Sequence, residues 1–327
     1  MEQTLQAFDH IRLNFSPQGL QVLNITLAFV MFGVALEIKP EHFKKLLYNP
    51  KSALVGVASQ FLVLPFLTFL LTLLLKSYIT PTIALGMILV AACPGGNVSN
   101  FISSLAKGNV ALSVSLTAIA TMAAVFMTPL NFSLWGNLYT RFLAHHAQAT
   151  QLVRPLHIDT LQMFQTVFLI LGIPLILGIF VNTRWPRQTL KMIKPIKRLS
   201  IVLFAVIVVI AFAKNFSHFL VVIKYIFLIV LVHNAMALFS GYYMAKIFKR
   251  PVVDRRTISI ETGIQNSGLA LVLIFNPKIF PPDLELGGMA IIAAWWGIWH
   301  IVAGLSIAGL WNRPNLRVAF LKMLRIR

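Results

Sequence analysis

Glu261 stands in the stretch SIETGIQNSGLALVL, residues 259–273, where the chain otherwise turns apolar. Gln265, Asn266 and Ser267 follow it within one or two helical turns, and Gly263 and Gly268 flank them. A second stretch, CPGGNVSN at 93–100, puts Asn97, Ser99 and Asn100 directly after Pro94, Gly95 and Gly96. A third, KGNVALSVSLT at 107–117, adds Ser113 and Thr117, which are four residues apart and so share one helical face. One carboxylate with amide and hydroxyl oxygens makes a hard, oxygen-only ligand set. Such a set suits Na⁺ and serves transition metals poorly. The single cysteine, Cys93, excludes an internal disulfide framework and makes no metal site by itself.

These residues must be positioned inside a membrane. Of the 327 residues 58% are hydrophobic and 11% charged, with a mean hydropathy of +0.81. A soluble domain would be about a quarter charged. Apolar runs of roughly 20 residues, long enough to cross a bilayer, recur along the whole chain. Nine spans are predicted, near 20–38, 52–75, 82–106, 109–135, 161–182, 196–213, 219–246, 257–276 and 286–311. The net charge of +19 falls in short loops between them, which argues against nucleic acid as a partner. With these spans, 21 of the 28 Lys and Arg residues lie on one side and 7 on the other. The richer side is cytoplasmic by the positive-inside rule, so the N-terminus lies outside and the C-terminus inside. The expected location is a plasma membrane or a bacterial inner membrane. Residues 1–19 lack a basic start followed by an apolar core, so no cleaved signal is expected there. The basic tail 312–327 would meet anionic headgroups.

Spans three and eight are the interrupted ones. Pro94, Gly95 and Gly96 are poor material for a continuous helix. Gly263 and Gly268 flank polar residues in the other. One such break could be a packing kink between membrane helices, but two that both carry amides and hydroxyls point to a site. They lie five spans apart and so run in opposite directions. Interrupted helices at matching places in two inverted halves mark a transporter's central site. The first repeat is therefore placed at 20–135 and the second at 196–311, joined by span five and its loops at 136–195. A carboxylate buried in lipid costs several kcal/mol unless it meets a cation or a water-filled cavity. The plain alternative is that Glu261 reaches cytoplasmic solvent, since Arg255 and Arg256 are close in sequence. A half-helix that starts after a break also turns its N-terminal amides, with their partial positive charge, toward an anion. Asn97 and Asn266 stand where that anion would rest. Together these features read as a sodium-coupled symporter of an organic anion.

The motifs CPGGNVSN, KGNVALSVSLT and ETGIQNSG strongly resemble those of the bile acid:sodium symporter family. LVHN at 231–234 and VMFGVALEIKPEHF at 30–43 are further partial matches. The resemblance implies an all-α integral membrane protein with about nine transmembrane helices in two inverted repeats. Two broken helices would cross near the membrane centre, in a core, panel-like subdomain beside a gating one. It further implies a first sodium site at Ser99, Asn100, Ser113, Thr117 and Glu261. A second would comprise Gln60, Glu261, Thr262, Ile264 and Gln265, with Thr262 and Ile264 giving backbone carbonyls. By itself Gln60 reads only as a helix-packing glutamine. The chain has no room for an additional N-terminal span and is similar to nine-span, animal-type members. Members with WHN in the last span differ from this chain, which reads WHI at 299–301. Ile301 would then make the pocket more apolar and alter the substrate.

His233 and His300 are intramembrane and could relay protons, although a histidine packed between helices is the plainer reading. His300 is carried as a substrate contact beside Asn97 and Asn266. His145 and His146 read as solvated loop residues. The competing functions are proton coupling or exchange through Glu261, an intramembrane enzyme, and a receptor without transport. No mid-span aspartate, H-E-x-x-H or G-x-S-x-G motif supports the enzyme. The expected partners are Na⁺ as coupling ion, a small organic anion and the bilayer. No cofactor is expected, and the assembly is a monomer or weak homodimer.

Overall fold

A computed structural model describes residues 17–38, 50–96, 98–146, 159–213, 216–276, 278–280, 284 and 286–312. Residues 1–16 of the expected N-terminal segment, the basic tail from 313 on and Asn97 lie outside the described residues. The described chain is all helix apart from its turns and one isolated bridge. In order, α1 is Pro17–Ala35, α2 Pro50–Leu74, α3 Pro81–Ala92, α4 Val98–Leu105 and α5 Val110–His146. Next come α6 Thr160–Arg184, α7 Pro186–Ala213, α8 Phe216–Ile247, α9 Val252–Gly263, α10 Ser267–Ile274 and α11 Gly287–Asn312. Five of these eleven, α2, α5, α6, α8 and α11, are long and apolar enough to cross a membrane.

The sequence chooses the starts. Thr80 accepts a hydrogen bond from the Ile83 amide, and Pro81 occupies the first turn of α3. Asp159 accepts from the amides of Leu161 and Gln162 at the start of α6. Both α2 and α6 carry a widened π turn just before a proline. Ser59–Val63 precedes Pro65, and Phe168–Gly172 precedes Pro174. Proline cannot donate the usual helical hydrogen bond. The wider turn lets Leu64 bond back to Ser59 and Ile173 to Phe168, so each helix continues.

Spans three and eight are each two helices, α3 with α4 and α9 with α10, in keeping with their expected interruptions. The elements differ from the expected spans in two places. Span four was expected to end at 135, but α5 continues to His146 and passes straight through Pro129. Span six was expected from 196, but α7 starts at Pro186 and takes in the basic run that had read as loop.

Two groups of helices pack together. α1 lies against α6 and α7. α2 to α5 and α8 to α11 form the larger group, in which α3 packs on α11 and α8 on α9. The core runs through α3, α10 and α11, where Ile88, Leu89, Leu273, Ile292 and Trp296 are fully or almost fully buried. Outward-facing Leu, Ile and Phe residues cover α2, α5, α6 and α8, as a lipid-facing surface requires.

Candidate functional site

The two breaks meet. Residues 93–96 and 264–266 lie outside the helices, and Gly95 pairs with Gln265 in an antiparallel bridge. The Gly96 amide donates to the Ile264 carbonyl at 2.7 Å, and the Asn266 amide to the Pro94 carbonyl at 2.8 Å. Each break thus satisfies backbone groups that the other leaves open, which a membrane interior demands. The flanking helices match in length: 12 residues in α3 and in α9, then 8 in α4 and in α10. Asn266 caps α10 by accepting from the Leu269 amide. The N-termini of α4 and α10, with their partial positive charge, therefore flank the bridge.

Gly95 is a glycine for a visible reason. A Cβ there would lie 3.2 Å from Glu261 Oε2 and 3.3 Å from the Glu261 carbonyl. The break of span three runs directly under the carboxylate of span eight.

Glu261 lies near the end of α9 and is 4% exposed. It does not hang into solvent. Its Oε1 accepts from Ser99 Oγ at 2.6 Å and from Ser113 Oγ. Its Oε2 accepts from Thr117 Oγ1 at 3.0 Å. Thr117 Oγ1 is also 3.2 Å from Asn100 Oδ1 and 3.4 Å from Ser99 Oγ. Ser113 Oγ reaches Ser103 Oγ at 3.2 Å. Each hydroxyl has one hydrogen to give. The carboxylate can take those of Ser99, Ser113 and Thr117, and Asn100 Oδ1 must then go without the Thr117 hydrogen. Oxygen lone pairs thus outnumber hydrogens in a buried pocket. A small cation meets that deficit, since it accepts lone pairs and leaves the hydroxyl hydrogens free to turn outward.

Gln60 sits on the π turn of α2, which aims it at the bridge. Its Nε2 donates to the Cys93 carbonyl at 3.0 Å and to Gln265 Oε1 at 2.8 Å. Gln265 Nε2 in turn donates to the Thr262 carbonyl at 2.6 Å. The Ile264 carbonyl takes part in the bridge. So Gln60, Thr262, Ile264 and Gln265 do form one connected group beside Glu261.

Other expected residues fall elsewhere. Gly263 closes α9, but Gly268 lies inside α10, and the second break is only Ile264, Gln265 and Asn266. His300 is buried in α11, its Nδ1 has no hydrogen-bond partner, and no hydrogen bond among the described residues ties it to the Glu261 cluster. His233 bonds Thr68 at 2.8 Å and packs on Trp296, as a helix-packing histidine does. Three contributors were missed. Ser103 supports Ser113. Asn234 Nδ2 holds the Gly263 carbonyl at 2.7 Å where α9 ends. Asp254, one charge beyond the apolar window, is buried as well.

Residues 24–248 match the model of the Sodium Bile acid symporter family. The chain is 30% identical over 294 residues to the "Uncharacterized sodium-dependent transporter YocS" of Bacillus subtilis (strain 168), covering 89% of this chain and 83% of that protein. It is 30% identical over 290 residues to the "Probable sodium/metabolite cotransporter BASS1, chloroplastic" of Arabidopsis thaliana, covering 88% of this chain and 66% of that protein. Identity to the "Ileal sodium/bile acid cotransporter" of Cricetulus griseus is 27% over 269 residues, covering 81% of this chain and 72% of that protein. With the family match over most of its length and several membrane-spanning helices, the chain belongs to the sodium bile acid symporter family.

Proposed function

We propose that this protein is a secondary active transporter that carries an organic anion, a bile-acid-like molecule or a small carboxylate or sulfate, together with Na⁺ by alternating access. The observation that carries the proposal is the Glu261 pocket, buried and short of hydrogens. One Na⁺ would lie against the Glu261 carboxylate, held by Ser99, Asn100, Ser113 and Thr117. A second would take the Gln60 and Gln265 side chains and the Glu261 carboxylate with the Thr262 and Ile264 carbonyls. The positive ends of α4 and α10 would face the anion near Asn97 and Asn266, with His300 a further contact. Ion and anion would then be coupled because both need the same crossing of broken helices.

The matched lengths on either side of each break support a pair of inverted repeats. Nine spans, with N-terminus outside and C-terminus cytoplasmic, follow from the apolar runs and the Lys and Arg distribution. The group α1, α6 and α7 would be the gating part, rocking against the larger group around a fixed site.

Uptake into cells or proteoliposomes, with sodium replaced by choline at several pH values, tests the coupling. The expected result is loss of accumulation in choline at every pH. Accumulation that persists in choline and follows a pH gradient would assign Glu261 to protons instead. A thermal-shift screen of organic anions with and without Na⁺ would identify the substrate, since binding of the right anion should need sodium.

A further inference from the structure

Asp254, Asn109, Thr257 and Ser52 form a buried or half-buried group apart from the Glu261 cluster, one to two helical turns away. Asp254 Oδ2 accepts from Ser52 Oγ of α2 at 2.6 Å, and Oδ1 accepts from Asn109 Nδ2 at 2.9 Å. Thr257 Oγ1 accepts from the Asn109 amide at 2.8 Å and lies 3.2 Å from its carbonyl, to which it can donate. Asn109 also caps α5, its Oδ1 accepting from the Leu112 amide at 3.1 Å. The turn that delivers Asn109 is tightly specified. Gly108 bonds back to the Ser103 carbonyl and Lys107 to Ser104, with Lys107 at φ 54° in the left-handed region. A Cβ on Gly108 would lie 2.6 Å from Thr257 Oγ1, so only glycine lets the turn sit on α9.

This group sets a register. α5 and α9 start side by side and run in the same direction. Asn109 meets Thr257, and one helical turn further on Ser113 meets Glu261; both pairs are 148 residues apart in sequence. Asp254, Thr257 and Glu261 follow one another at three and four residues, so they share one face of α9. We infer that the Asp254–Asn109–Thr257 group is a register latch: it positions α9 against α5 so that the Glu261 carboxylate and the Ser113 and Thr117 hydroxyls converge on one cation. Asp254, Asn109 and Thr257 are positioning residues, and none touches the ion. A slip of α9 would carry Glu261 away from both hydroxyls, because these hydrogen bonds tie the start of α5 to α9 one helical turn before the site.

The inference rests on the sodium reading of the Glu261 pocket, and the test separates the two. The full-length protein in detergent is melted across a titration of Na⁺ against choline. Thr257→Val keeps the shape and loses both hydrogen bonds, and Thr257→Ser keeps them. Thr257→Val is expected to raise the half-saturating Na⁺ concentration about tenfold, the worth of one or two lost hydrogen bonds, and Thr257→Ser to restore it. A Thr257→Val protein that melts lower by the same amount in Na⁺ and choline, with an unchanged half-saturation point, would make the group ordinary packing and overturn the latch. Should Thr257→Val not fold, Asp254→Asn, which puts an amide donor against Ser52 or Asn109, is read in the same way. A wild-type protein that melts identically in Na⁺ and choline would overturn the cation site itself, and the latch with it.

Discussion

Replacing Glu261 with alanine is expected to abolish sodium-dependent uptake while the protein still folds. Among the described residues the carboxylate is the one acidic group in its pocket, and its hydrogen-bond partners there are the three hydroxyls of Ser99, Ser113 and Thr117. Removing the charge from a desolvated ion pair costs at least about 2–3 kcal/mol, so uptake should fall on the order of 100-fold or more. Folding survives for a specific reason. The hydroxyls left behind can pair with one another: Ser113 with Ser103 at 3.2 Å, Ser99 with Thr117 at 3.4 Å, and Thr117 with Asn100 at 3.2 Å. The change also removes a buried carboxylate, which is costly to hold in the membrane. Melting curves in choline check the folding half, and uptake of a transported bile acid or small carboxylate checks the other. Uptake that keeps its full sodium dependence in this variant would contradict the account.

A valine at Gly95 should be nearly as damaging, by a different route. Its Cβ alone would come within 3.2 Å of Glu261 Oε2 and 3.3 Å of the Glu261 carbonyl, and its two methyl groups need more room still. The break cannot retreat, because the Gly96 and Asn266 amides pin it to the other break. Overpacking of this kind costs about 1–3 kcal/mol, so a lower melting temperature is expected. Transport should suffer more than stability does, on the order of 100-fold, since the displaced group is the carboxylate that faces the ion. A Gly95→Val protein with wild-type sodium affinity would show that the close approach of the two breaks has no functional role.

Much of the site was legible because its devices are local. Pro94, Gly95 and Gly96 break a helix by their own chemistry, and an acid in an apolar run stands out. Ser113 and Thr117 announced a shared face by spacing alone. What stayed hidden depends on long-range contact or on override of local preference. Asp254 sits among basic residues outside the apolar window, and its partners Ser52 and Asn109 are 202 and 145 residues away. Gly268 looked like part of a break, yet α10 runs through it once Asn266 has capped the helix. Span four was expected to stop at 135, but α5 tolerates Pro129 and continues to His146. The basic run after Pro186 read as loop because charge was weighed as topology, although lysine and arginine are good helix formers. The π turn that aims Gln60 has no sequence signature beyond a nearby proline.

Equilibrium binding of radioactive sodium to the purified protein, wild type against Glu261→Gln, tests the carboxylate's role most directly, because the change keeps the side chain's shape and removes its charge. Saturable binding in the wild type that disappears in the variant is the predicted result. Saturable binding of equal strength in both proteins would contradict it, because the ion would then be held somewhere other than against the Glu261 carboxylate.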